Sequence, residues 1–273
     1  MRTSKESLRE YARGVVGGLI FSLPLLYTME VWWAGFTASP WRLAVYVLAT
    51  FVLLLGYNYF GGLRRDDCFR EVVIDSVEEM GIGLLVAFCI LWLLGRVTTE
   101  MPAAEAVGKT VVEGMTVAIG VSVGTAQLGG GGKEDEGVSG DDGAGFGAQV
   151  VIAFCGAVLF AANVAPTEEI IVIATEISVW RLLGLSALSM ALAALVLYYS
   201  EFAGADKYVL FDRHHDVAFG TIITYAVALT SSALILWFFG RFDGQALATC
   251  VAQTVVLGVA ATLGASAGRL LVQ

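Results

Sequence analysis

Residues 14–36 read GVVGGLIFSLPLLYTMEVWWAGF, an apolar run with one acid near its end, and 139 positions later the same side chains return in the same order. Gly17, Phe21, Thr28, Glu30, Ser39, Trp41, Arg42 and Leu43 recur as Gly156, Phe160, Thr167, Glu169, Ser178, Trp180, Arg181 and Leu182. Further on, Leu91, Trp92, Gly95 and Arg96 recur as Leu236, Trp237, Gly240 and Arg241. Thr110-Val111-Val112 with Gly114, Gly120, Ser122 and Gly124 recurs as Thr254-Val255-Val256 with Gly258, Gly264, Ser266 and Gly268. A duplicated membrane unit with an acid inside the repeated motif predicts a pore or carrier built around an internal twofold axis.

The chain of 273 residues is 57% hydrophobic and only 15% charged, with a mean hydropathy of +0.76. That is too apolar for a soluble domain and too long for a single anchor. The apolar runs suit helices crossing a core of about 30 Å, which takes roughly 20 residues each. The expected fold is all-α, a polytopic bundle of eight transmembrane helices near 14–36, 41–61, 72–95, 104–128, 148–176, 181–201, 217–240 and 245–269. An even number of crossings per half makes the two four-helix repeats parallel.

The sequence divides into a tail at 1–13, a first repeat at 14–128, a Gly- and acid-rich linker at 129–147 and a second repeat at 148–273. Arg2, Lys5, Arg9 and Arg13 precede no short apolar stretch with a small-residue cleavage site, so the first helix is expected to stay in the mature protein. Placing both termini and the linker in the cytoplasm puts eleven of the sixteen Lys and Arg on that side. The same topology sends Trp32, Trp33, Trp41, Trp92, Trp180 and Trp237 to the outer boundary, where indoles collect.

Chemistry narrows the function by exclusion. A net charge of −9 argues against a nucleic-acid surface. His214 and His215 are the only histidines and are expected in a loop, so no histidine pair holds haem or zinc inside the membrane. Cys68, Cys89, Cys155 and Cys250 show no paired spacing and are expected as thiols. There is no P-loop and no nucleophile elbow, so neither an enzyme nor a cofactor is expected.

The acids within apolar runs are the candidates, because a charge at the bilayer centre costs about 3 kcal/mol and is tolerated mainly for a purpose. Glu30 and Glu169 are expected as symmetric ligands of a cation or proton, supported by Thr28, Thr167, Glu168 and Asn163. Pro166 frees a carbonyl near Asn163 and favours a broken helix there. The competing reading makes both acids solvated helix ends at the outer interface. Asp75, Glu78 and Glu79 open the third helix, either as a vestibule or as interfacial acids suited to the helix dipole. Glu113 lies deeper, with Lys109 four residues before it as the expected partner, and serves either a gate or simple neutralisation. The glycine pairs at 120/124 and 264/268 are expected to pack helices closely.

Pro24-Leu25-Leu26-Tyr27-Thr28-Met29-Glu30-Val31-Trp32-Trp33 and Ala165-Pro166-Thr167-Glu168-Glu169 resemble an uncharacterised bacterial family of integral membrane proteins. The resemblance spans essentially the whole chain and implies a cell-membrane setting, with no activity or site residues attached. The expected function is transport of a cation by a carrier or channel, with or without proton coupling, in contact with membrane lipid. The alternative is a scaffold or sensor whose carboxylates make helix or subunit contacts, including those of a homo-oligomer.

Overall fold

The computed structural model describes residues 4–61, 69–128, 146–204 and 213–270, which form ten helices and no strand. They fall into two compact units, Met1–Ser139 and Gly140–Gln273. Unit 1 holds α1 (Ser4–Leu26), α2 (Met29–Thr37), α3 (Pro40–Gly61), α4 (Phe69–Leu93) and α5 (Ala103–Leu128). Unit 2 holds α6 (Phe146–Val164), α7 (Glu168–Glu176), α8 (Val179–Gly204), α9 (Arg213–Phe238) and α10 (Leu247–Leu270). The expected linker lies outside the described residues except for Phe146 and Gly147, which begin α6. Cys68 lies outside them as well. His214 and His215 belong to the first turn of α9 and not to a loop, because that helix starts four residues earlier than its apolar run.

Among the described residues seven helices are long and apolar enough to cross a membrane, and α1 with α2 supplies an eighth crossing if the bent pair is counted as one. The two expected helices 14–36 and 148–176 are each broken in two. In the first, Pro24 lies inside α1, the helix stops at Leu26, and the chain turns by 87° into α2. Thr28 takes an extended backbone (φ −94°, ψ 115°), and its hydroxyl donates to the Pro24 carbonyl at 2.7 Å. In the second, Pro166 disfavours helical geometry at Ala165, so α6 ends at Val164 and α7 restarts after an extended Thr167 (φ −74°, ψ 150°). The Thr167 hydroxyl donates back to Val164 O at 2.9 Å.

In unit 1, α5 is the enclosed helix: 78% of its apolar window is buried, against 22% for α3 and 28% for α4. Glycines explain how so many neighbours reach it. A Cβ at Gly17 of α1 would run into the backbone of Gly124, and one at Gly18 would meet Val121 and Val117. From α4, Gly83 lies against Gly114 and Ala118, and from α2, Gly35 lies on the backbone of Lys109. Leu26, Val86, Ala87, Val117 and Val121 close the core between these contacts. In unit 2, Gly156 of α6 likewise meets Gly264 and Gly268 of α10. The glycine pairs therefore pack helices within each unit, as their spacing predicts.

Helices α4 and α9 end on left-handed glycines, Gly95 (φ 67°) and Gly240 (φ 71°). Each lets the next arginine amide fold back onto a carbonyl of the last turn, Arg96 N to Leu91 O at 2.8 Å and Arg241 N to Leu236 O at 2.9 Å.

Candidate functional site

Glu30 lies in the first turn of α2, immediately after the bend, and is half-buried. It has no hydrogen-bond or ion-pair partner among the described residues. The bend beside it is tied from several sides. Trp32 Nε1 donates to Leu26 O at 3.1 Å, and the Arg96 guanidinium stacks over the Trp32 ring, 4.9 Å from its centroid. Thr28 donates its proton to Pro24 O, which leaves the hydroxyl oxygen able to accept or to ligate.

In unit 2, Glu168 and Glu169 occupy the first turn of α7 and are exposed. Asn163 directs an amide proton to Leu159 O at 2.6 Å. The Asn163 amide and the Thr167 hydroxyl are thus each tied to a backbone carbonyl near the end of α6. Among the described residues no group of three His, Cys, Asp or Glu side chains could hold a metal ion.

The acids of α4 are not at its start. The helix begins at Phe69, so Asp75, Glu78 and Glu79 lie past the first turn, where Glu71 takes the dipole position. Glu78 accepts a hydrogen bond from the Tyr11 hydroxyl of α1. Glu79 Oε2 accepts from Asn58 Nδ2 of α3 at 2.8 Å. Asn58 also reaches Ser76 Oγ at 3.0 Å, and its Oδ1 accepts from Ser122 of α5 at 3.0 Å. A polar network therefore joins α3, α4 and α5 inside unit 1. Sequence reasoning missed Asn58, although an amide in the middle of an apolar run is itself a signal.

The expected Lys109–Glu113 pair does not form. Lys109 Nζ sits 2.6 Å from Glu105 Oε1, with Arg96 O at 3.4 Å and the Phe36 ring centroid at 5.6 Å. Helical side chains lean toward the N-terminus, and Glu preceding Lys by four is the favoured order. Glu113 is left fully buried, and neither of its oxygens has a partner. A double-mutant cycle on purified protein should find about 1 kcal/mol of coupling between Lys109→Met and Glu105→Gln, and almost none between Lys109→Met and Glu113→Gln. Strong 109–113 coupling would contradict this arrangement. In unit 2 the corresponding α10 positions hold Gln253, which donates to Arg241 O at 3.5 Å, and the buried Leu257.

Helices of this number, length and apolarity define a multi-pass integral membrane protein. The chain belongs to the family described as "Putative integral membrane protein (DUF2391)", which it matches over residues 10–272. No curated protein and no solved structure matches it.

Proposed function

We propose that the protein transports a cation across the cell membrane, as a carrier or channel, with both termini cytoplasmic. In this reading the two units are parallel copies of one ancestral unit, and Glu30 and Glu169 are the principal ligands, supported by Thr28, Thr167, Glu168 and Asn163. The observation that carries it is Glu30 itself, a half-buried carboxylate without a partner among the described residues, set where an apolar span breaks by 87°. Broken helices that present carboxylates and hydroxyl oxygens are a recurrent construction for ion sites in transporters. Glu169 has the like place within its own unit, in the first turn after the α6–α7 break. Asp75, Glu78, Glu79 and the Asn58 network would serve as the cytoplasmic approach.

The test is ion flux into proteoliposomes, screening protons, sodium, potassium, calcium, magnesium and manganese. Flux of one cation, reduced at least tenfold by Glu30→Gln or Glu169→Gln, is the expected result. No flux of any cation from folded protein would reject the proposal. The exposure of Glu168 and Glu169 favours one alternative, a scaffold whose acids contact a partner subunit. That reading requires an oligomer that dissociates when both are changed to Gln.

A further inference from the structure

Glu113 is the one carboxyl among the described residues that is wholly buried, at 0% exposure. Neither Oε1 nor Oε2 has a hydrogen-bond partner. It lies within the α5 span, at the height of the α1–α2 bend. Gly18 of α1 meets α5 at Val117 and Gly35 of α2 meets it at Lys109, and Glu113 falls midway between them. The close glycine contacts around this stretch of α5 bring backbone against backbone.

The cation on the helix of Glu113 itself, Lys109, is paired with Glu105. On α3, the Arg42 guanidinium lies 6.0 Å from the centroid of the Trp41 ring. From α3, Tyr46 comes near enough for its charge and that of Glu113 to interact, but its hydroxyl shares a hydrogen bond with Thr116 Oγ1 at 2.7 Å. From α4, Glu78 and Glu79 are bonded to Tyr11 and Asn58, and Asp75 lies a turn further toward the start of that helix. From α1, Tyr11 and Arg13 lie near Gly14, which touches Thr125 and Val121 toward the far end of α5. From α2 the ionisable group is Glu30, another acid. Among the described residues no cation forms an ion pair or hydrogen bond with the Glu113 carboxyl.

An ionised carboxylate in such a place would have neither counter-charge nor donor, and taking up a proton is the less costly state. The position that matches it in the sequence repeat, in α10, is filled by the fully buried Leu257. A group kept against the interest of packing is expected to have a use. We propose that Glu113 is a proton-binding site, occupied in this closely packed state as a neutral carboxylic acid. Its proton leaves only when α5 parts from its neighbours and water reaches the carboxyl. The site is separate from Glu30 and Glu169, and its assignment does not depend on any cation being carried.

The experiment is infrared spectroscopy of purified full-length protein in phospholipid vesicles at neutral pH, without an ion gradient. A protonated carboxyl has a C=O stretch well separated from the bands of ionised carboxylates. The wild-type-minus-variant difference is expected to contain that band for Glu113→Gln and Glu113→Leu, and to lack it for Glu30→Gln. Glu113→Leu is expected to melt at or above the wild-type temperature, as Leu257 implies. A difference spectrum without the band in both Glu113 variants would overturn the proposal. So would failure of both variants to fold, because each supplies the neutral group the site is argued to prefer.

Discussion

In Gly17→Leu the first unit is expected not to pack. The new Cβ would run into the Gly124 backbone, and the rest of the side chain would have to push α1 off α5 along its whole contact. Ordinary overpacking of a core costs about 1–3 kcal/mol because side chains can shift. Here the obstacle is main chain, which cannot move without breaking the helix, so the effect should exceed that range. The measurement is the folded fraction recovered after detergent extraction, read by size exclusion and thermal melting. Gly124→Leu should behave in the same way, and Gly156→Leu should disrupt the α6–α10 contact. Gly81→Leu and Gly184→Leu are the controls, because nothing lies within 4 Å of a Cβ at either position. If all these variants melted alike, the close glycine contacts would not be what joins the helices.

The second large effect is expected from Asn58→Leu. The substitution removes the donor to Glu79 Oε2, the donor to Ser76 and the acceptor of Ser122 at once. Hydrogen bonds between membrane helices average about 0.6 kcal/mol each. A polar group left without its donor adds roughly 1–3 kcal/mol, and more if it is charged. Together these give about 3–5 kcal/mol, readable as a shift in the midpoint of detergent-driven unfolding. Thr230→Ala provides the comparison, since its exposed hydroxyl bonds only Ala226 O of its own helix, and it should fall within about 0.5 kcal/mol of wild type. An Asn58→Leu protein as stable as Thr230→Ala would mean that the network does not join α3 to α4 and α5.

Apolar run length located α3, α5, α8 and α10 to within a few residues, because that property is written into consecutive side chains. It could not show the bend after Leu26, since Trp32, Trp33 and Phe36 keep the run apolar while the backbone changes direction. Pro166 marked the second break in advance, whereas the first falls just after Pro24 and hydropathy is blind to its angle. The pairing of Lys109 illustrates a different limit. Spacing of four allowed Glu105 and Glu113 equally, and the order of charges along a helix was the deciding clue. Asn58 was overlooked although it is polar within an apolar run, and its partners on two other helices could be known only from the packed unit.

The bend itself has a consequence for how the chain is made. Residues 14–36 form an unbroken apolar stretch long enough to cross a bilayer straight, as a span of roughly 20 residues does. What fixes α2 at an angle is synthesised later: the Arg96 guanidinium over Trp32, and the Gly108–Lys109 backbone under Gly35. The ribosome thus delivers the first span before the groups that fold it over. The emerging segment is expected to enter the membrane as one straight helix and to bend at Leu26 once the fifth helix has been made. Truncated chains ending before residue 96 carry the sequence of the bend without the residues that hold it.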